Sequence, residues 1–266
     1  MIGDVVFGQY LPGESVLHKL DPRIKILLSI AQIALVFFAN SYESMAFMAA
    51  QILIILILSK VGFKLYLKSL RVIILVATIT SLVNLFCGKG EGLFTFWIIN
   101  ITKDSIKNSI TSVTRIVCLI LVSSILTFTT LPNDLTTATE RLMKPLKFLR
   151  IPVSEIAMIM TIALRFIPTL FEELNKIIMA QKARGANLEA KKLNDKIRAF
   201  IPIVTLLFVS SFRRAYELSI AMECRCYRGS ENRTRMRMFK IKNLDVIAVI
   251  FTIICACTLI SLNLRQ

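Results

Sequence analysis

The chain has 266 residues, of which 55% are hydrophobic, and it carries 33 lysines and arginines against 17 aspartates and glutamates, a net charge of +16. This composition excludes a disordered chain and an ordinary soluble domain, because long apolar stretches alternate with basic segments. We therefore predict an all-α, polytopic membrane helix bundle with a large helical domain on the cytoplasmic side.

The first residues lack the pattern of a cleaved signal peptide, a basic patch followed by a short apolar run and a small-residue cleavage site. Stretches bounded by charged or turn residues predict five membrane spans, at residues 26–39, 45–58, 72–86, 106–128 and 244–262. Several are shorter than the roughly 20 residues that a crossing needs, so flanking residues such as Lys25 and Lys60 extend them. The segment 93–101 contains the only tryptophan and is too short to cross, which predicts a loop at the membrane interface. No clear β pattern is visible.

Basic residues set the orientation of the spans. Lysines and arginines precede the first span and follow the second, so both segments are predicted to be cytoplasmic. Residues 132–242 hold 21 of the 33 basic and 10 of the 17 acidic residues, which places them on the same side. We predict an N-terminal bundle of about four spans at 1–131, a cytoplasmic domain of long amphipathic helices at 132–242, and a last span within 243–266.

The basic region shows helical patterns. Apolar or small residues recur every three or four positions in two sets, Leu135, Ala138, Leu142, Leu146 and Leu149, and Phe212, Ala215, Ser219, Met222 and Cys226. Helix starts are predicted at Asp21-Pro22, at Pro132 and at Pro152, because a proline in the first turn loses no hydrogen bond. An amphipathic helix runs twice into a small-Arg-small triplet, with the arginines at 184 and 225.

Several chemistries are missing from the sequence. No stretch has the glycine and lysine spacing of a nucleotide-binding P-loop, so the chain is not predicted to bind ATP itself. The single histidine, His18, favours a capping or loop role over catalysis. The six cysteines are predicted to be reduced thiols, and no histidine or carboxylate cluster completes a metal site around them. The sequence predicts no cofactor.

Three charged features allow more than one interpretation. Arg115 lies inside a predicted span, and either serves a functional site or extends its head group to the interface. The basic region could bind anionic lipid or dock a partner protein, whereas nucleic acid is disfavoured because stacking platforms and compact binding motifs are missing. Arg184 suits partner docking through its planar guanidinium, and it equally suits an ordinary helix C-terminus closed by Gly185.

Five blocks of sequence resemble the transmembrane T component of energy-coupling-factor transporters, the vitamin and metal importers of prokaryotes. The blocks are Gly8-Gln9-Tyr10 to Ser15, His18 to Lys25, Thr129-Thr130-Leu131-Pro132, Ala163 to Pro168, and the two arginine triplets. The match covers nearly the whole chain. It is most similar to the shared type that serves several substrate-binding S components.

The resemblance implies a non-catalytic subunit of the prokaryotic plasma membrane, with a cytoplasmic coupling domain that docks two ATPase subunits. It implies docking through Ala183, Arg184 and Gly185 and through Cys224, Arg225 and Cys226, with cysteines in place of alanine and glycine in the second triplet. Whether Cys226 can adopt the backbone geometry of a glycine is open at this point. Residues 132–150 and 152–180 are expected to carry the S component. A self-contained permease or a membrane-embedded enzyme are the alternatives, although neither a polar pathway nor a catalytic cluster is visible.

Overall fold

The computed structural model describes residues 10–39, 41–86, 94–96, 99–101, 103–188, 190, 192–229, 239 and 241–264. These residues form eight α-helices, one 3₁₀ helix and two short strands. The helices are α1 (Pro22–Phe38), α2 (Tyr42–Ser59), α3 (Phe63–Phe86), α4 (Lys103–Thr129), α5 (Pro132–Leu142), the 3₁₀ helix Lys144–Leu149, α6 (Val153–Ala183), α7 (Leu193–Cys224) and α8 (Asn243–Leu264). The all-α fold class is confirmed, with one local exception.

That exception lies between α3 and α4. Strands β1 (Phe94–Phe96) and β2 (Ile99–Ile101) pair in antiparallel fashion, with Phe94 opposite Ile101. The prediction of a loop without β structure at 93–101 is therefore wrong for these six residues. Their β-branched and aromatic side chains favour strands, but a run this short gives no readable alternation.

The predicted helix starts are confirmed. Asp21 is the N-cap of α1, where its carboxylate accepts a hydrogen bond from the Arg23 N–H at 2.9 Å, and Pro22 occupies the first helical position. Helix α5 begins at Pro132. Pro152 is the N-cap residue of α6. At Pro22 and Pro132 the fixed φ of proline suits the first turn, whereas Pro152 lies one residue before its helix, where it needs no helical N–H.

The described residues divide into two compact units, the first made of those in 10–138 and 239–264, and the second of those in 139–229. In the first unit α4 packs against α1, α2 and α3, and α8 packs against α1 and α2. Its core is a cluster of buried apolar side chains, Val36, Ala39, Met45, Met48, Ile52, Cys118, Val122 and Leu259. Serine and asparagine side chains also join α3 to α4, as in the 2.7 Å hydrogen bond between Ser81 and Ser109.

Among the described residues, four helices are long and apolar enough to cross a membrane, α2, α4, α6 and α8, and α3 makes a fifth if its two segments, bent by 54°, form one span. The predicted first span, residues 26–39, begins after the first turn of α1 and ends at its C-cap, and the 17 residues of this helix extend only about 25 Å. Helix α6 passes the same test although it was predicted to be cytoplasmic. The cytoplasmic assignment of 132–242 therefore stays a prediction.

The second unit consists mainly of α6 and α7, which pack against each other. Two sequence patterns need correction here. The apolar set from Leu135 to Leu149 does not lie on one α-helix, because α5 ends at Leu142 and a 3₁₀ helix follows. Pro145 explains the break, since its ring excludes an α-helical hydrogen bond and restricts the preceding residue.

The set beginning at Phe212 lies on α7 as far as Met222, whereas Cys226 lies beyond the end of the helix. The side chain of Phe212 is 62% exposed. The face of α7 that turns inward is offset from this set and includes Ile203, which is 1% exposed, and the half-buried Arg214. The spacing therefore identified the helix correctly and its packed face wrongly.

Candidate functional site

The first arginine triplet forms the C-terminal end of α6. Arg184 is the C-cap residue, and its N–H donates to the Ala180 carbonyl at 3.1 Å. Gly185 then adopts a left-handed φ of +86°, its N–H donates to Lys182 O at 3.0 Å, and the Ala186 N–H donates to Gln181 O at 3.0 Å. This pair of bonds is a Schellman motif, which ends a helix sharply and satisfies its last carbonyls.

The second triplet repeats this geometry at the end of α7. Arg225 is the C-cap residue, the Cys226 N–H donates to Glu223 O at 2.9 Å, and the Tyr227 N–H donates to Met222 O at 3.1 Å. Cys226 occupies the position of Gly185 and adopts a φ of +55°. The sequence left open whether a cysteine could take this conformation, and the structure places it there.

All six predicted site residues are exposed: Ala183, Arg184, Gly185, Cys224, Arg225 and Cys226. The backbone bonds described for each triplet stay within its own helix end, so neither guanidinium is needed to close its helix. The helix C-terminus also carries a partial negative charge that favours an arginine there. The backbone hydrogen bonds alone therefore close the helix at Arg184, and its side chain is left accessible to a partner.

Helices α6 and α7 are joined by an ion pair. Arg214 Nη2 lies 2.5 Å from Glu173 Oε2, and the Ser210 hydroxyl also donates to Glu173. Glu173 precedes Arg184 by eleven residues, and Arg214 precedes Arg225 by eleven residues as well. Each arginine thus lies about 16 Å along its helix from the ion pair, at a rise of 1.5 Å per residue. The ion pair was not predicted from the sequence, although Glu173 and Arg214 are separated by the same 41 residues as Arg184 and Arg225.

The N-terminal blocks of the resemblance have a structural role in the first unit. His18 Nδ1 lies 2.6 Å from Ser15 Oγ, and its Nε2 lies 2.9 Å from the Leu11 carbonyl oxygen. The Leu11 N–H in turn donates to Phe128 O at 3.1 Å, near the end of α4. The predicted capping or loop role of His18 agrees with these contacts.

A buried polar cluster joins the ends of α1, α4 and α8. Lys25 Nζ donates to the Thr129 carbonyl at 2.9 Å, and the Asp245 carboxylate accepts from the Asp21 N–H at 2.8 Å and from the Lys242 N–H at 2.7 Å. Lys25 precedes the apolar segment of α1. Burial lowers its pKa to about 8, against the opposing effect of the carboxylates of Asp134 and Asp245. Asp245 was not singled out from the sequence, because nothing local reveals a partner so distant along the chain.

Arg115 has a structural partner in the first unit. Its Nη2 donates to the carbonyl of Ala39, the C-cap residue of α1, at 2.9 Å. This bond satisfies a carbonyl at the end of a helix, which is the usual need at that position. The finding favours a packing role over an isolated charge in the span.

The fold and this site define a polytopic helical membrane protein with a second unit built mainly of two packed helices, each ending in an exposed arginine. A model of the family described as CbiQ, cobalt transport protein, matches residues 13–236. A protein of Clostridium kluyveri named energy-coupling factor transporter transmembrane protein EcfT is 44% identical over 259 residues, covering 97% of this chain and 96% of its own. Proteins of the same name from Ruminiclostridium cellulolyticum and Bacillus subtilis are 42% and 36% identical, over 96% and 99% of this chain and 95% and 100% of their own.

The chain therefore belongs to the CbiQ/EcfT family of transmembrane components of energy-coupling factor transporters. This confirms the resemblance found in the sequence. The family is that of a membrane transport component, and its membrane-embedded character agrees with the apolar helices of the structure.

Proposed function

We propose that this chain is the scaffold of an importer of vitamins or other micronutrients, which transmits motion from two cytoplasmic ATPase subunits to a membrane S component. The observation that carries the proposal is the pair of matching helix ends. Two exposed arginines with the same cap geometry, at the same distance from one ion pair, are suited to two equivalent sites on a pair of related subunits.

Docking would use Ala183, Arg184 and Gly185 on one subunit and Cys224, Arg225 and Cys226 on the other. The left-handed residue turns the backbone away directly after each arginine, so a partner can approach the guanidinium. A planar guanidinium binds carboxylates and carbonyls through two parallel hydrogen bonds. Cysteine is small, so Cys224 and Cys226 allow nearly the same approach as alanine and glycine.

Transmission follows from the ion pair between α6 and α7. When the ATPase subunits close on ATP, the two arginines move with their sites, and the helices pivot about Glu173 and Arg214. The docked contact must differ between the open and closed ATPase, since otherwise no work is transmitted. We place the S component on residues 132–150 and 152–180. The S component would choose the substrate, and the chain is of the shared type that serves several S components.

The proposal places the protein in a prokaryotic plasma membrane with residues 132–242 on the cytoplasmic side. No cofactor and no nucleic acid enter the mechanism, and ATP hydrolysis belongs to the partners. The alternative is a self-contained permease. The cavity of about 290 Å³ between α1, α2, α4 and α8 is lined mainly by apolar side chains, which does not favour a polar solute pathway in that part of the structure. Its polar and charged lining residues are Lys25, Ser29, Gln32, Thr129 and Thr252.

Co-purification in detergent with the two ATPase subunits tests the proposal. Arg184→Glu and Arg225→Glu each place a carboxylate against a site that accepts a guanidinium, and removing such a charge contact typically costs about 2 to 5 kcal/mol. We expect each variant to lose subunits and ATP-driven uptake, with lysine substitutions less severe. Arg198→Glu, at an exposed position near the start of α7, is the matched control and should co-purify normally.

Undiminished binding by the Arg184→Glu, Arg225→Glu double variant would overturn the docking role. Solute uptake by vesicles that contain this chain alone would instead support the permease.

A further inference from the structure

The connection between α5 and α6 exposes an apolar corner. Phe148 is 95% exposed, the largest fraction for any large apolar side chain that the structure describes, and the neighbouring Leu149 is 71% exposed. Both lie on the 3₁₀ helix Lys144–Leu149. A phenylalanine ring left almost wholly in water is unfavourable, so an exposed aromatic-aliphatic pair indicates an apolar surface that covers it.

The sequence around this corner is rich in basic residues. Arg141, Lys144, Lys147 and Arg150 follow one another at every third position, and residues 141–150 contain no acidic residue. Lys144 and Arg150, at the two ends of the 3₁₀ helix, are exposed. Along the chain, the exposed side chains of Phe148 and Leu149 therefore lie between these two exposed cations.

The backbone at the end of the corner is held in a conformation that arginine rarely adopts. Arg150 has a φ of +60°, where glycine would be less costly. Residues held in sparsely populated backbone conformations cluster at functional sites. Arginine at position 150 keeps a cation next to Leu149, which a glycine would remove.

We propose that the corner 144–150 inserts Phe148 and Leu149 into the interface of an anionic bilayer, with Lys144 and Arg150 on the lipid phosphates. Apolar side chains that enter the acyl boundary beneath a row of cations are the pattern of interfacial membrane anchors. The charge of the rim selects anionic lipid over a neutral surface. The corner belongs to the segment assigned above to the S component. Lipid contact is a separate property, because it requires no S component.

The single tryptophan, Trp97, makes a direct test possible. The full chain carrying Trp97→Phe and Phe148→Trp is reconstituted, without partners, in phosphatidylcholine vesicles with or without phosphatidylglycerol. Brominated phospholipid reports contact with acyl chains, and aqueous iodide reports contact with water. Leu193→Trp in the same background is the matched control, since Leu193 is 78% exposed at the start of α7.

We expect bromolipid to quench the tryptophan at 148 about twofold or more in anionic vesicles and less in neutral ones, with iodide ineffective. The Lys144→Glu, Arg150→Glu variant should lose this difference, and the control at 193 should stay open to iodide. Equal quenching by iodide at 148 and 193 in anionic vesicles would overturn the proposal. Protection that arises only after an S component is added would also overturn it, while supporting the platform assignment.

Discussion

Glu173 on α6 and Arg214 on α7 are joined by an ion pair of 2.5 Å, and 41 residues separate them, the same interval that separates Arg184 from Arg225. The pair therefore joins equivalent positions of a repeated helix-arginine unit. If a local two-fold axis relates the two helices, a contact between equivalent positions lies on that axis. Both arginines then lie at the same distance from the ion pair. This relation makes the ion pair the natural pivot for the motion proposed above.

Neutralising the pivot should separate docking from transport. Glu173→Gln leaves both arginine triplets intact, so ATPase subunits should still co-purify, while uptake per ATP hydrolysed falls severalfold because α6 and α7 no longer move together. The ion pair is partly exposed and contributes no more than about 1 kcal/mol to stability, so the variant should still fold. Uptake and hydrolysis measured on the same vesicles check this expectation.

The exchange Glu173→Arg with Arg214→Glu is the matched control, since it restores opposite charges. Recovery of uptake in the exchanged variant, against loss in both single variants, identifies the pair itself. If Glu173→Gln transports normally, the pivot lies elsewhere.

At the left-handed positions of the two Schellman motifs, Cys226→Gly and Gly185→Ala should change the free energy of unfolding in opposite directions. A residue other than glycine pays roughly 1 to 2 kcal/mol in the left-handed region. Cys226→Gly should therefore raise the free energy of unfolding by about 1 kcal/mol, less the extra freedom that glycine gives the unfolded chain. Gly185→Ala should lower the free energy of unfolding by a similar amount. Only backbone strain would contribute, because a Cβ at position 185 would meet no atom within 4 Å.

Thermal unfolding of the two variants in detergent measures both changes. Docking of the Cys226→Gly variant should be at least as strong as that of the parent chain. Cys224→Gly is the control, since Cys224 is the last residue of α7 and has no positive φ. A destabilised Cys226→Gly variant would contradict the assignment of backbone strain to this position.

Local signals in the sequence predicted most of the helices. Apolar length identified α2, α4 and α8, and proline with a nearby acid identified the starts of α1, α5 and α6. Apolar length acts through burial in lipid, and proline acts through its own backbone, so both signals can be read without knowing any distant partner. The break at Pro145 was also readable, since the proline contradicts the apolar pattern that spans it.

Long-range pairings were not predictable in the same way. Asp245 meets Asp21 across most of the chain, and Arg214 meets Glu173 between two helices. Spacing shows that a residue lies on a helix, but the neighbour of that face depends on tertiary packing. The triplets could be named from their resemblance, whereas the left-handed Cys226 could be seen only in the structure.

Asp245 should be the strongest single support of the polar cluster in the first unit. Its side chain is buried and accepts from two backbone N–H groups, those of Asp21 and Lys242. Asp245→Ala leaves the buried Asp21 N–H without its acceptor, which costs about 1 to 3 kcal/mol. Asp245→Asn keeps one oxygen acceptor and should cost less.

Thermal unfolding in detergent ranks the parent chain, Asp245→Asn and Asp245→Ala. Asp195→Ala removes an exposed aspartate from the equivalent first turn of α7 and serves as the control. An Asp245→Ala variant as stable as this control would show that water replaces the carboxylate without loss.

Lys25 predicts how stability changes with pH. Burial lowers its pKa in the folded chain from 10.5 to about 8, so between these values the unfolded chain holds a proton that the folded chain has released. Stability gained from this group therefore rises with pH across that window, by at most about 1.4 kcal/mol per pH unit, and is absent below it.

Subtracting the free energy of unfolding of Lys25→Met from that of the parent chain at each pH cancels the contributions of the other titrating groups. The difference should increase from pH 8 to 10 and stay level from pH 6 to 7.5, whereas Lys196→Met, at an exposed position, should give a level difference throughout. A level difference for Lys25→Met as well would mean that its ammonium keeps its ordinary pKa, with the hydrogen bond to Thr129 fully offsetting its burial.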